Sequence, residues 1–223
     1  MATLIFDIMT AGYDWSELGE VSQDYLTRYQ TKEEAKNSLG LSPFTGQVCG
    51  LGIYDLERKE QVIYIVSEVE SVNYRSTSEA NLLEDFWEGL RSYDVLVTFG
   101  GRRFDLPFIY HRTIAKRLKP SIDLPRVRNI EKQKPPYHVD LHDEFTFQGS
   151  LRSPVTLNFL AETYGLDNPD TITVNGGEVN KFFKEREYEE LAKYCESNIQ
   201  TTAKLYEIWL TKLAPNEFLN SLQ

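Results

Sequence analysis

The stretch that decides the fold covers residues 3–10 and reads TLIFDIMT. It is a continuous run of apolar and β-branched residues that contains one aspartate, Asp7, and such runs are typical of strands buried on both faces of a sheet. Open α/β sheets place their ligands beyond the carboxyl ends of these strands. Asp7 is therefore either a site carboxylate or an aspartate that forms a turn with its own backbone, and this strand alone favours neither.

The rest of the chain predicts strands and helices in an order that suits a mixed sheet. Strands are expected at 47–55, 61–66, 94–99 and 138–141, with a short turn that joins the first two into a hairpin. Amphipathic stretches predict helices at 78–90, 106–118, 154–164, 178–184 and 188–213. This order indicates an α/β fold with a mixed five-stranded sheet, in which leading antiparallel strands are followed by parallel ones and helices flank both faces.

Length and composition indicate one folded domain over residues 1–223. Hydrophobic residues make up 41% of the 223 residues, which is enough for a real core, and no low-complexity tract suggests disorder. Residues 12–45 are polar and helix-prone. We interpret this segment as an insertion or lid rather than as part of the core.

Cysteine usage and hydropathy predict a cytoplasmic protein without a membrane partner. Cys49 and Cys195 are far apart in sequence and no CxxC pair is present, which disfavours a structural zinc site and favours a reducing compartment. The first apolar run lacks the basic flank and the length of a signal peptide. No stretch approaches the ~20 apolar residues that a membrane span requires.

The charge distribution is uneven along the chain. The net charge of -10 argues against a general binder of polyanions. Between Arg102 and Lys134, however, ten Lys or Arg residues face three acidic ones, so this segment carries +7. We interpret it as an electrostatic track for a phosphate backbone, with a solvated surface that binds nothing as the alternative.

Three short motifs bring possible site residues into one pattern. They are FDIMT at 6–10, TFGGRRFDLP at 98–107 and YCESN at 194–198. Asp7 and Met9 share one face of a strand, because side chains alternate along it. Tyr194 and Asn198 are four residues apart and therefore share one face of a helix.

In this order and spacing, the motifs resemble the tyrosine-containing DEDD (DEDDy) 3′-5′ exonucleases, in particular stand-alone forms similar to the proofreading domain of family B DNA polymerases. The resemblance implies a ribonuclease H-like fold and removal of nucleotides from single-stranded 3′ ends of DNA or RNA. It also implies two divalent ions, Mg²⁺ or Mn²⁺, about 4 Å apart. Asp7 and Asp105 would be catalytic carboxylates and metal ligands, and Tyr194 would position the attacking water.

The chain departs from that family pattern at three positions. Met9 replaces a glutamate, Gly100 an asparagine and Asn198 an aspartate, whereas several other motif residues match: Asp7, Thr10, Phe104, Asp105, Pro107, Tyr194 and Thr202. A thioether is a poor ligand for Mg²⁺, and an amide oxygen carries no charge. We expect Asp7 and Asp105, with weak help from Asn198, to hold at most one metal. Activity should then be weak or lost.

A chain with this pattern also fits two other functions, a non-catalytic nucleic-acid-binding relative of the exonucleases and a protein-interaction module. The residues expected to contact a nucleic acid are Thr10, Arg102, Arg103, Phe104 and Arg112. Simpler structural roles compete with the functional ones: Tyr194 as a core tyrosine, Asp105 as a helix cap and, for Asp140, a cap of the following helix in preference to catalysis.

Overall fold

The computed structural model describes residues 1–125, 127–151, 154–166 and 176–222. Its centre is a mixed sheet with the strand order β4-β3-β2-β1-β5-β6. The strands are β1 (Thr3–Gly12), β2 (Gly46–Asp55), β3 (Glu60–Val66), β4 (Arg75–Thr77), β5 (Val95–Thr98) and β6 (Tyr137–Asp140). The first three strands pair antiparallel, whereas β5, β6 and β4 each pair parallel with their neighbours.

The predicted α/β class with a mixed sheet is confirmed, but the sheet has six strands rather than five. The additional strand, β4, covers only Arg75–Thr77 and pairs with the end of β3. Three residues are too few to display the alternation by which a strand is recognised in a sequence. Its place at the edge of the sheet leaves the arrangement of the central strands as expected.

The helices lie on both faces of the sheet. They are α1 (Glu20–Leu26), α2 (Lys32–Ser38), α3 (Glu79–Gly89), α4 (Asp105–Ala115), α5 (Leu141–Phe145), α6 (Leu157–Thr163), α7 (Gly176–Lys184), α8 (Tyr188–Lys212) and α9 (Asn216–Ser221). The segment interpreted as an insertion contains α1 and α2 between β1 and β2. Within the described residues, no helix has the length and apolarity needed to cross a membrane.

Strand β1 separates two hydrophobic clusters, because its side chains point alternately to the two faces. Ile5 and Met9 belong to the cluster that contains the buried face of α8. Phe6 and Ile8 belong to the other cluster, together with residues of α3 and α4. Asp7 lies between Ile5 and Met9 on the α8 side, so the strand delivers its carboxylate to the side on which α8 packs.

Gly52 of β2 permits the close approach of α8 to the sheet. A Cβ atom at this position would lie 2.5 Å from Cys195 Sγ and 2.9 Å from Ile199 Cγ2. Both of these side chains are completely buried. Because α8 carries Tyr194 and Asn198, this contact also determines how far those two residues reach toward β1.

Asp140 at the end of β6 organises the loop that precedes α4. Its carboxylate accepts hydrogen bonds from the backbone N–H groups of Gly100 (2.8 Å) and Arg102 (2.9 Å), and from that of His142 (3.0 Å) at the start of α5. The preference for a capping role of Asp140 is therefore confirmed. Gly100 has a φ of +78°, a conformation that costs glycine little.

We expect Gly52→Ala to lower the free energy of unfolding by about 1–3 kcal/mol, because the new methyl group would overpack the contact with α8. Urea denaturation followed by circular dichroism measures this loss. Gly89→Ala is the matched control, since a Cβ there meets nothing within 4 Å and the residue has helical backbone angles. Equal midpoints for the two variants would contradict the proposed packing constraint.

Candidate active site

The carboxylate of Asp7 is the centre of the site. Asp7 Oδ2 accepts a hydrogen bond of 2.9 Å from Asn198 Nδ2, which joins residues 191 positions apart in the chain. Burial raises the pKa of Asp7 to about 6, although the hydrogen bond from Asn198 lowers it. Asp7 lies within β1 rather than in a turn, so the turn interpretation of this residue is wrong.

Asp105 approaches Asp7 from the first turn of α4. Its side chain is buried, and Oδ1 accepts a hydrogen bond of 3.1 Å from the backbone N–H of Ile8. Burial raises the pKa of Asp105 well above its ordinary value, and the negative charge of Asp7 raises it further. Phe104 occupies the cap position of α4, so the carboxylate of Asp105 connects the helix to β1 instead of capping it.

Tyr194 and Asn198 reach the site from one face of α8, as their spacing predicts. A side-chain hydrogen bond links the two residues. Burial raises the pKa of the Tyr194 hydroxyl, and that hydrogen bond opposes the increase. Tyr194 is thus a partly buried residue that lines the site as well as packing against the core.

Two adjoining cavities form around these side chains. The first, of about 240 Å³, is lined by Asp7, Ile8, Met9, Thr10, Leu41, Phe99, Gly100, Phe104, Asp105, Val179, Tyr194 and Asn198. The second, of about 330 Å³, is lined by Asp7, Phe99, Thr156, Leu157, Asn158, Tyr194, Asn198 and Thr202. Eight of the positions singled out from the motifs meet in the first cavity. Asp7, Phe99, Tyr194 and Asn198 border both.

Several lining residues were not anticipated from the sequence. Leu41 belongs to the segment interpreted as an insertion, and Val179 belongs to α7, to which no site role was assigned. Phe99 lies within the second motif but is not among its matching residues. Its nearness to Asp105 in the sequence was the one signal that could have predicted its place in the site. These three side chains give the cavity an apolar part of its lining, which suits contact with a flat, weakly polar group.

Met9 is a wall residue that is almost completely buried. Its methyl group lies against Gly50 of β2, where a Cβ atom would be only 2.7 Å from Met9 Cε. The pairing of β1 with β2 shifts register between Met9 and Thr10, and such bulges re-aim the side chains beside them. The Thr10 hydroxyl donates to Gly40 O at 2.6 Å, so it is engaged with the backbone near the end of the predicted insertion.

The donor set around Asp7 does not fit two divalent cations. Within the described parts of the chain, no three His, Cys, Asp or Glu side chains are placed together as a metal-binding group. Asn198 turns its amide nitrogen toward Asp7, and Met9 offers only a buried thioether. Hard cations require several oxygen ligands, and the carboxylates of Asp7 and Asp105 supply fewer oxygens and less negative charge than two dications need.

The structure corrects the expectation that Arg112 contacts a nucleic acid. Arg112 is 5% exposed, and its Nε lies 2.8 Å from Glu79 Oε1 in a buried ion pair. Its guanidinium also donates to Pro43 O and to the Tyr13 hydroxyl. Arg112 therefore holds α4 to α3 and to the segment before β2, a role that a count of charges along the sequence cannot reveal.

Arg102 and Arg103 have different surroundings despite their adjacency. Arg102 is mostly buried, donating to Asp143 Oδ2 and to His138 O, both at 3.1 Å, so it anchors its loop instead of reaching into solvent. Arg103 is exposed, and its guanidinium donates to His142 Nδ1 at 3.2 Å. Of the three arginines predicted to contact a nucleic acid, Arg103 alone presents an accessible guanidinium.

Replacement of Asp7 by Asn should stabilise the protein at pH 7.5 in EDTA. Because the folded-state pKa is raised to about 6, Asp7 contributes stability at low pH that is lost as the pH rises through that value. An amide does not ionise, so the substituted side chain loses no stability as the pH rises. We therefore expect the free energy of unfolding of Asp7→Asn to exceed that of the wild type by roughly 1–2 kcal/mol above pH 6.5 and to equal it near pH 4.

Thermal denaturation across that pH range measures the difference between Asp7→Asn and the wild type. Asp85→Asn on the exposed surface of α3 is the matched control, and its stability should stay within about 0.5 kcal/mol of the wild type at every pH. A wild-type protein that is more stable than Asp7→Asn at pH 7.5 would contradict the assigned burial cost.

Comparison with known proteins identifies the chain's relatives. Residues 55–216 match a family described as a predicted 3′-5′ exonuclease related to the exonuclease domain of PolB. DNA polymerase 1 of Sulfolobus acidocaldarius is 29% identical over 131 residues, which are 57% of this chain and 15% of the polymerase. DNA polymerase 1 of Sulfurisphaera ohwakuensis is 30% identical over 77 residues, which are 34% of this chain and 9% of that polymerase. The chain thus spans a small part of these relatives.

Solved structures show the same relationship at the level of the fold. The family B DNA polymerase from Pyrobaculum calidifontis superposes with a TM-score of 0.64 at 15% identity, and the match covers 94% of this chain and 24% of the polymerase. The matched family profile covers well over half of the 223 residues. The chain belongs to the family of 3′-5′ exonuclease domains related to the exonuclease domain of PolB.

Proposed function

We propose that this chain binds the 3′ ends of single-stranded DNA or RNA and that its metal site is reduced, so that hydrolysis is weak or lost. The observation that carries the proposal is the hydrogen bond from Asn198 to Asp7. At the position where the resemblance implies an aspartate that binds metal, an amide N–H group instead neutralises part of the carboxylate. Asn198 therefore occupies an oxygen of Asp7 that a cation would otherwise bind.

A simple balance of charges supports this proposal. Two dications about 4 Å apart repel each other strongly, and clustered carboxylates normally offset that repulsion. Among the described residues, Asp7 and Asp105 are the acidic ones that line the two cavities. One weakly bound cation is the most that this arrangement would hold.

The retained cavity favours nucleic-acid binding over a complete loss of function. Leu41, Phe99 and Phe104 line it with apolar and aromatic surface, on which a terminal base would stack. Tyr194 and Thr202 place hydroxyl groups at the borders of the second cavity. A non-catalytic binding protein of the same family is therefore the second candidate, and it differs from the first only in residual hydrolysis.

The predicted cytoplasmic location enters the proposal as well. Cys49 and Cys195 are both free and buried, which suits a reducing compartment. Burial raises the pKa of each thiol, so neither is an activated nucleophile. The two cysteines thus serve packing in the proposed function.

A 5′-labelled single-stranded oligonucleotide, incubated with the pure protein in Mg²⁺ or Mn²⁺, tests residual hydrolysis. We expect little or no shortening, because the donor set does not fit two cations. Met9→Glu with Asn198→Asp restores both missing acids, and this double variant should degrade the oligonucleotide at least about ten-fold faster than the wild type. Circular dichroism confirms that the variant is folded.

Asp105→Asn in the double-variant background is the matched control, and it should abolish the gained activity. Rapid 3′-5′ degradation by the wild type would contradict the proposed loss. A folded double variant that binds the oligonucleotide but gains no activity would show that the site lacks necessary residues besides those at 9 and 198.

A further inference from the structure

A groove lined by basic residues lies next to the candidate active site. It has a volume of about 840 Å³, and its polar lining includes Arg103, Arg128, His142 and Gln148. Apolar residues, among them Leu151 and Val155, also line it. Of the described residues that line the groove, none is acidic. A lining that combines basic and apolar side chains is suited to a phosphate with its attached sugar and base.

One buried carboxylate fixes the basic side of this groove. Asp143, with a side chain 2% exposed, accepts from Arg102 Nε at 3.1 Å, and both of its oxygens accept from Arg128, through Nε at 3.1 Å and Nη2 at 2.5 Å. Two guanidiniums on one carboxylate leave an excess positive charge at the surface. The side chain of Arg128 is 44% exposed, so a ligand can reach its charge. The ion pair with Asp143 fixes the position of the guanidinium.

Arg103 adds a second accessible guanidinium. It is exposed and donates to His142 Nδ1 at 3.2 Å, so this polar contact is with a ring nitrogen instead of a carboxylate. A guanidinium held in this way keeps its full charge for a ligand. The fork of donors on arginine matches the oxygen pair of a phosphate.

Two residue contacts place the groove beside the candidate active site. The His142 ring packs edge-to-face on Phe99, with 5.7 Å between ring centroids, and Phe99 borders both site cavities. Arg103 immediately precedes Phe104, which lines the first cavity. A strand whose end lies beside Asp7 would therefore reach the groove directly after it passes Phe99.

We propose that this groove binds the sugar-phosphate backbone of a single strand whose 3′ end occupies the candidate active site, with Arg103 and Arg128 on its phosphates. This inference rests on the proposed function and makes it more specific. Of the predicted track between Arg102 and Lys134, it keeps Arg103 and Arg128 and leaves out Arg102 and Arg112, whose side chains are engaged inside the protein. Recognition through phosphates carries no sequence preference.

The test is a fluorescence anisotropy titration of a labelled single-stranded octanucleotide in EDTA, which suppresses hydrolysis, over a series of salt concentrations. Arg103→Gln should raise the dissociation constant about five-fold or more and reduce the log–log salt slope by about 0.7 for each phosphate that the variant no longer neutralises. Adding Arg128→Gln should weaken binding further. The result for Arg103→Gln is decisive by itself, because this substitution removes a positive charge from an exposed position and leaves the buried contacts of the fold unchanged.

Arg117→Gln is the matched control, since Arg117 is exposed and lies beyond the far end of α4, outside the groove. It removes the same charge and should change affinity less than two-fold. Equal effects of Arg103→Gln and Arg117→Gln would overturn the groove while leaving the proposed function intact. A wild-type protein that does not bind the octanucleotide at low salt would overturn both.

Discussion

The packing of α8 against β1 and β2 is the constraint on which the rest of the structure depends. Gly52 leaves room for Cys195 and Ile199, so the helix lies directly on the sheet. That approach brings Asn198 Nδ2 to 2.9 Å from Asp7 Oδ2, although the two residues are 191 positions apart in the sequence. The distance between Asp7 and Asn198 is consequently set by the packing of the helix against the sheet.

The chemistry of the site follows from a deficit of negative charge. Three of the residues that the family resemblance implies border one cavity: a carboxylate on β1, another at the start of α4 and a tyrosine on α8. A buried thioether and an amide occupy the positions where the family resemblance implies two further acids. In the proposed function these two replacements weaken cation binding, and they also make the cavity less costly to fold, because fewer like charges are buried together.

Sequence reasoning succeeded where patterns are long or motifs are spaced along regular elements. The buried run of β1, the apolar stripe of α8 and the four-residue interval from Tyr194 to Asn198 predicted which side chains would meet. It failed where the answer depends on tertiary partners. Arg112 carries the charge expected of a phosphate contact, yet Glu79 across the helix interface makes it a buried structural residue.

The number of cations that the protein holds beside Asp7 tests the central claim most directly. A crystal soaked in Mn²⁺, with diffraction data collected at the manganese absorption edge, counts them as anomalous peaks. We predict at most one weak peak, in contact with Asp7 and Asp105. Two strong peaks about 4 Å apart, each with a complete shell of oxygen ligands, would contradict the account.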